Sequence, residues 1–569
     1  MTFGEVELSP EEIQKALKKR SDTLMLSNGK TAHLPDDFFT KLSTVFRSGT
    51  LTDKGVKLAG QHYTLIDQLY IKAERPDLAK IVAAREKLFS EQEKIPLVPV
   101  PENLNAVLRP YQLIGYSWLC HLHSLKWGGL LADDMGLGKT LQVLSLLQYL
   151  KNKGLAAAPH LLLAPTSLLY NWQEEAAKFC PELNVLVFHG TVREKNISEL
   201  KKYDLIITSY GTAAVDIAFL LTTSFDYVIL DEAQAIKNPF SQKFKMVMLF
   251  EAQHRLALTG TPVENSSSDL YALMNFVNPG FFGSLRMFKD NLAAKGDNED
   301  KERAGTLLKM TKPFILRRTK KQVATDLPPK TEMTIWCEME PAQRKIYDRY
   351  RKEFKTYLTD KIDTIGLENS KLYVLKGLMT LRQICNSPVL IKDAPDFDGH
   401  SCKIIELMEH IMEKTTGHKL LIFSAFTGML GLIRSGLEQQ GIDYSYLDGK
   451  TILNKRKEAV ANFQENEACR VFLISLKAGG TGLNLTSADY VYLVDPWWNP
   501  AVENQAIDRC YRIGQDKHVM AYRMICKDTL EEKILEIQDK KRKLAGELIP
   551  TDEGILKSLG KDDLLKLFG

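Results

Sequence analysis

No two cysteines in this chain stand at the spacing that holds a metal. The eight are scattered at Cys120, Cys180, Cys337, Cys385, Cys402, Cys469, Cys510 and Cys526. None forms a C-x-x-C pair, and the histidines do not complete a zinc quartet. That excludes a zinc-stapled or disulfide-framed scaffold and reads as reduced thiols in an intracellular protein. Long apolar runs are missing too. Leu161-Leu-Leu-Ala-Pro165 and Tyr227-Val-Ile-Leu230 are strand-length, well short of the roughly 20 residues a membrane crossing needs. The first residues, Met1-Thr-Phe-Gly-Glu5, lack a basic start followed by an apolar stretch, so no secretion signal is expected. Excess charge is absent: 75 Lys and Arg against 71 Asp and Glu leave a net charge of +4. That balance permits a basic groove without announcing one.

What is present is a globular composition, 44% apolar and 26% charged over 569 residues, too long for one core. Residues 1–100 read as a polar, helical region of unknown role. Pro96, Pro99 and Pro101 then mark a linker. From 101 to 285 short β-rich runs alternate with helical patterns; Leu161–Leu163, Leu205–Thr208, Val228–Leu230 and Leu256–Leu258 are the expected strands. A charged, helical segment follows over 286–330 and ends at Asp326-Leu-Pro-Pro-Lys330, an expected boundary. Residues 331–410 read as a helical insertion. Alternation returns over 411–545, with strands expected at Lys419–Ser424, Tyr444–Leu447, Val471–Ser475 and Tyr490–Val494 and a closing helix at Leu530–Gln538. Residues 546–569 form a tail. The pattern predicts an α/β fold of two parallel-sheet lobes, each carrying helical insertions.

Asp133-Asp-Met-Gly-Leu-Gly-Lys-Thr140 lies between an apolar run and a helical one, the context of a phosphate-binding loop. Gly136 and Gly138 let backbone amides approach phosphate oxygens, with Leu137 between them. Lys139 suits the β- and γ-phosphates and Thr140 a magnesium ion. By itself the loop could be a glycine turn, since Asp133 stands where the full consensus has glycine. Asp231-Glu232-Ala-Gln234 ends the strand-like Tyr227–Leu230. Two adjacent carboxylates there divide the labour: Asp231 orients magnesium and Glu232 activates water. Alone, they could equally be solvated acids at a strand end. Thr259 and Thr261 in Leu258-Thr-Gly-Thr-Pro262 could sense the γ-phosphate. Gln112, near a helix start, has an amide able to pair with adenine. Arg509 and Arg512 sit three apart, which on a helix faces both one way. An arginine brought to the terminal phosphate from elsewhere in the chain gates hydrolysis in many NTPases.

Together these blocks resemble the ATPase engine of helicase superfamily two, and within it the Swi/Snf-type DNA translocases, over about residues 105–545. The resemblance is carried by LRPYQLIGYSWL, DDMGLGKT, LLLAPTSLLYNW, DEAQ, LTGTPVEN, FILRRTK, LLIFSAF and YLDGKT. It is carried most specifically by SLKAGGTGLNLTSADYVYLVDPWWNP and QAIDRCYRIGQ. It implies two RecA-like lobes, ATP and magnesium as cofactors, and an acidic residue at Asp133. It also implies that Arg509 and Arg512 are arginine fingers on the second lobe. Gly479, Gly480 and Gly482 would link the nucleotide site to the DNA track. Thr166, Ser209, Ser424 and Lys477 would face DNA phosphates, and Trp498 would press against the duplex or pack in the core. The basic run Arg317, Arg318, Lys320 and Lys321 could touch DNA or form a solvated face. Gln234 departs from the histidine of many relatives; it keeps hydrogen-bonding capacity and cannot carry a proton.

The resulting expectation is a monomeric, ATP-driven translocase on double-stranded DNA that displaces or remodels a DNA-bound protein without separating the strands. The alternatives are a strand-separating helicase and a slow DNA-bound ATPase switch or scaffold. No membrane partner is expected. The expected setting is a bacterial cytoplasm, at the nucleoid, or a nucleus if the source is eukaryotic.

Overall fold

A computed structural model describes residues 95–536 apart from 191–192, 194, 261–266, 287, 289–306, 308–309, 366, 392–396, 398–400, 480–482 and 497–499. It also describes six short strands before residue 58. The chain forms two compact units, and the main run passes from one to the other between Thr319 and Lys320, ahead of the Pro328-Pro329 step.

The first unit is built on seven strands: β1 (Gly129–Leu131), β2 (His160–Ala164), β3 (Val185–Val187), β4 (Leu205–Ser209), β5 (Phe225–Leu230), β6 (Ala252–Leu258) and β7 (Ile315–Leu316). Their order is β7-β1-β6-β5-β2-β4-β3, and every pairing is parallel. β2, β4 and β5 are buried at every position, with no alternation. That is the mark of a parallel sheet covered on both faces, and it is why these runs read as continuous apolar stretches. Three helices that matter for the site are α1 (Pro110–Ser124), α2 (Lys139–Asn152) and α3 (Leu169–Phe179).

The second unit has six strands: β8 (Lys330–Cys337), β9 (Leu420–Ser424), β10 (Tyr444–Leu447), β11 (Val471–Ser475), β12 (Tyr490–Leu493) and β13 (Val519–Cys526). They are again all parallel, in the order β8-β13-β12-β9-β11-β10. Successive strand residues point to opposite faces, and two cores result. Leu420, Ile422, Leu473 and Tyr492 join one, with Val374, Leu378 and Leu381 of helix α5 (Leu367–Asn386). Leu421, Phe423, Ile474 and Val491 join the other, with Ala506, Ile507 and Cys510. The helical insertion and the arginine-bearing segment therefore pack into separate cores.

One joint in this unit was hidden by sequence spacing. Lys403, in helix α6 (Cys402–Glu409), is fully buried. Its ammonium donates to Glu531 Oε1 at 2.7 Å, the Val494 carbonyl at 2.7 Å and Asn386 Oδ1 at 3.2 Å. Glu531 Oε2 accepts from the Cys526 amide at 3.0 Å. The sulfurs of Cys385 and Cys526 gather within 4.8 Å of that carboxylate and of each other. The ammonium already neutralises the carboxylate, which makes the cluster a core ion pair. All eight cysteines are free and buried, and burial pushes the thiols of Cys120, Cys180, Cys337 and Cys510 up to about 12. Those four are protonated, unreactive core residues at neutral pH.

The expected helical region over 1–100 needs correcting where it is described. Three antiparallel ribbons pair Thr2–Phe3 with Val6–Glu7, Thr23–Met25 with Thr31–His33, and Thr50–Thr52 with Gly55–Lys57. β-branched threonines stand in all three ribbons, at Thr2, Thr23, Thr31, Thr50 and Thr52. Strands of two or three residues are too short for a periodicity count to register. The rest of 1–94 lies outside the described residues. Among the described residues no helix is long and apolar enough to cross a membrane.

Candidate active site

The phosphate-loop sequence runs from the end of β1 into α2. Gly136 and Gly138 take left-handed backbone angles, φ +80° and +74°, which glycine adopts without penalty. Gly138 is the N-cap of α2, a helix of 14 residues whose free amides and positive dipole end suit an anion. A Cβ on Gly138 would lie 2.4 Å from Gln112 Nε2, so the amide of Gln112 packs directly on the loop. Gln112 is held there because its Oε1 accepts from the Arg109 amide at 3.0 Å, the reciprocal capping of α1. Lys139 Nζ donates to the Asp133 carbonyl at 2.6 Å and the Asp134 carbonyl at 3.3 Å.

The side chains of Asp133 and Leu137 are both fully buried. Asp133 Oδ1 accepts from Arg318 Nε at 2.9 Å, and Oδ2 from Arg318 Nη2 and, at 3.3 Å, from Gln142 Nε2. Both residues shape the loop and leave only main-chain atoms for a phosphate. Arg318, read from sequence as part of a solvated or DNA-facing run, is drawn into this network, with 11% of its side chain exposed. It also donates to the Tyr111 carbonyl and lies 5.2 Å from the Tyr111 ring centroid.

The carboxylates follow β5. Asp231 Oδ2 accepts from the indole Nε1 of Trp172, on α3, at 2.8 Å, and Oδ1 accepts from the Glu232 amide at 2.8 Å. Burial, then the neighbouring charge of Glu232, pushes Asp231 up to about 6, with Trp172 and Lys139 pulling the other way. The Lys139 ammonium is thus close enough to be felt by Asp231. Glu232 has φ +50°, a left-handed conformation rare outside glycine. Its Oε2 accepts from Gln234 Nε2 at 2.6 Å, and Gln234 Oε1 accepts from Thr259 Oγ1 at 3.0 Å. Gln234 therefore bridges the candidate base to the turn after β6, using both ends of its amide. Thr261 lies outside the described residues.

Hard oxygen donors, the Thr140 hydroxyl in the first turn of α2 and the Asp231 carboxylate, suit magnesium. An ion held there would neutralise phosphate charge. Trp172 was not singled out from the sequence, although it closes the LLLAPTSLLYNW block. Its indole favours the ionised form of Asp231. Below about pH 6 Asp231 protonates, so kcat/KM for ATP is expected to fall on that acid side. Trp172→Phe is expected to raise that limb by about one pH unit, the size of one lost charge-assisted hydrogen bond. A pH profile of both proteins checks this; an unmoved limb would detach Asp231 from the ionisation.

In the second unit, helix α7 (Pro500–Ile507) ends before the arginine pair. Arg509 and Arg512 sit in the turns that follow and do not share a helical face, contrary to the sequence reading. The reason is local. The Arg509 carbonyl accepts from the Leu485 amide at 3.0 Å, the Cys510 carbonyl from Gln515 Nε2 at 3.2 Å, and Gly514 has φ +97°. Gln515 also donates to the Thr486 and Ala488 carbonyls at 3.1 and 2.8 Å, latching the turn to 485–488. Arg509 is 5% exposed, and its Nε donates to the Gln505 carbonyl at 3.1 Å; Arg512 is half-buried.

The expected DNA-facing residues divide. Thr166 is exposed at the end of β2. Ser209 and Ser424 are buried. Ser209 Oγ caps the Thr212 amide at 3.0 Å, and Ser424 Oγ donates to Asp495 and accepts from the Phe426 amide at 3.0 Å. Those hydroxyls are engaged inside the protein, so at both strand ends the backbone is what remains for a phosphate. Asp495, which the sequence did not flag, is buried and pushed up to about 6 by desolvation. Arg382 of α5 reaches the adjoining Pro496 carbonyl at 2.7 Å. Lys477 lies in the helical turn Leu476–Gly479. Gly480, Gly482 and Trp498 fall outside the described residues.

Comparison with known proteins agrees with these blocks. The family profile described as SNF2-related domain matches residues 111–390, and that of the helicase conserved C-terminal domain matches 402–514. The chain is 35% identical over 515 residues to the putative ATP-dependent helicase/translocase YwqA of Bacillus subtilis, covering 89% of this chain and 55% of that protein. It is 34% identical over 545 residues to the ISWI chromatin-remodeling complex ATPase CHR11 of Arabidopsis thaliana, covering 91% and 50%. The Sulfolobus solfataricus SWI2/SNF2 ATPase core, solved in complex with dsDNA, is 37% identical and covers 83% of this chain and 99% of that one, with a TM-score of 0.41. The chain spans about half the length of the curated relatives it matches. With both profiles matched in order and the motifs on the sheet ends described above, the chain belongs to the SNF2 family of helicase-type ATPases.

Proposed function

We propose that the chain hydrolyses ATP to move along double-stranded DNA without separating the strands, and so displaces or remodels a protein bound to that DNA. The observation that carries this is the assembly at the C-terminal ends of β1 and β5, two interior strands of the first unit's sheet. A glycine loop and helix N-terminus, the Lys139 ammonium and the Asp231–Glu232 pair meet there, with Glu232 wired through Gln234 to Thr259. In this reading Lys139 and the α2 amides bind the phosphates, Gln112 reads the adenine, and Asp231 with Thr140 holds magnesium. Glu232 takes a proton from the attacking water. Arg509 and Arg512 of the second unit stabilise the charge on the transferred phosphoryl group. Residues 101–285 would be the ATP-binding lobe and 411–545 the second lobe, joined through 286–330, with 331–410 inserted in the second. DNA would be gripped through phosphates by the Thr166 hydroxyl and by backbone groups at Ser209 and Ser424, with Lys477 and Trp498 beside them. The 35% identity to a putative ATP-dependent helicase/translocase supports the motor reading. The protein would act as a monomer in the cytoplasm, at the nucleoid.

The test is ATPase activity with single strands and duplexes of increasing length, combined with triplex displacement and forked-duplex unwinding. Turnover that rises with duplex length, with triplex displaced and forks left intact, is the expected result. Unwinding of a plain fork would replace this reading with a strand-separating helicase. Low turnover independent of length would replace it with a DNA-bound ATPase switch.

A further inference from the structure

Lys320 and Arg318 stand two residues apart and serve different units. Lys320 opens the second unit and is 8% exposed at its side chain. Its Nζ donates to Asp508 Oδ1 at 2.6 Å and to the Tyr511 carbonyl, and lies 5.1 Å from the Tyr511 ring centroid. Asp508 immediately precedes Arg509, and Tyr511 immediately precedes Arg512. The ammonium thus grips the segment just ahead of each arginine. A buried ammonium holds its place only through such partners, since losing one leaves an uncompensated charge. Arg318, one residue inside the end of the first unit, grips Asp133 at the mouth of the phosphate loop. Its Nη2 also donates to Gln142 Oε1 on α2 at 2.9 Å.

We propose that Arg318 and Lys320 are positioning residues, Arg318 for the phosphate loop and Lys320 for the arginine segment. Only Thr319 separates them in the chain. Neither side chain touches the reacting atoms. Each fixes the seat of an element that does. The proposal rests on the ATPase reading above and adds to it the groups that seat the phosphate loop and the arginine segment, each within its own unit.

The experiment uses the full chain with saturating duplex DNA and compares Lys320→Met, Lys320→Arg, Asp508→Asn and Arg318→Lys, with unfolding midpoints recorded for each. Lys320→Met is expected to lower kcat about 10²-fold, the scale of a misplaced catalytic group, with the ATP KM within about twofold of wild type. Lys320→Arg, which can still reach Asp508, is expected to recover kcat to within about fivefold. Arg318→Lys, losing the two-pronged grip on Asp133, is expected to show the opposite split, a KM raised about tenfold with a smaller change in kcat. Asp508→Asn should lower kcat in the same direction as Lys320→Met, and the double variant should lose little more than either single one; this pair carries the test if Lys320→Met does not fold. Wild-type kcat in Lys320→Met or Asp508→Asn, or a KM rise in place of the kcat loss, overturns the assignment alone. A wild-type protein without duplex-stimulated turnover overturns the ATPase reading and this inference with it.

Discussion

Glu232→Gln is expected to lower the rate of ATP hydrolysis by about 10²–10⁴-fold, the contribution of a positioned general base, while ATP still binds. The structure makes this a clean substitution. Glu232 Oε2 accepts its hydrogen bond from Gln234 Nε2 at 2.6 Å, and a glutamine carbonyl can accept the same bond. The left-handed backbone at this position, φ +50°, is indifferent to the exchange of acid for amide. Only the ability to take a proton from water is removed. Single-turnover hydrolysis, measured beside the dissociation constant of a fluorescent ATP analogue, separates the two effects. Lys139→Ala is the companion, expected to weaken both binding and turnover because it removes a charge from the phosphate loop. Full activity in either variant would show that the hydrolytic centre lies elsewhere.

Arg509→Ala and Arg512→Ala should show the second large effect, losses in kcat of about 10³-fold or more, in the range of an arginine supplied to a phosphoryl-transfer site. Their turn is held by Gln515, which donates to three carbonyls, and by the Leu485 amide on the Arg509 carbonyl. Removing one guanidinium should leave this frame standing, and an unfolding midpoint close to wild type checks that. The ATP dissociation constant should change by less than about threefold, because the arginines act on charge that develops during transfer. Weakened ATP binding with unchanged kcat would assign the pair to ground-state binding and remove the gating idea.

Much of this architecture was legible in the chain. The strands expected at Leu161–Leu163, Val228–Leu230 and Val471–Ser475 appear as the buried strands β2, β5 and β11, because a sheet covered on both faces leaves an unbroken apolar run. What stayed hidden was long-range. Arg318 finds Asp133 across 185 positions, and Lys320 finds Asp508 across 188. A local reading could only class them as a charged run. The family resemblance set Ser209 and Ser424 against DNA phosphates, and the partners of a strand-end hydroxyl inside the fold are not written in the local sequence. An N-cap and the carboxylate of Asp495 claim them instead. The arginine pair looked helical by its spacing, but the helix ends at Ile507, and in the turns beyond it the carbonyls of Arg509 and Cys510 accept from the Leu485 amide and from Gln515.

The buried pair Lys403–Glu531 has a consequence for how such a chain can change over generations. Losing either partner alone strands a charge in the core, at a cost of about 3–5 kcal/mol, whereas exchanging both for apolar residues of similar volume is close to neutral. The two positions lie 128 residues apart, on α6 and on the helical turn after β13. Neutral drift at one is blocked until the other moves, so the pair forms an evolutionary ratchet: easily inherited intact, hard to leave by single steps.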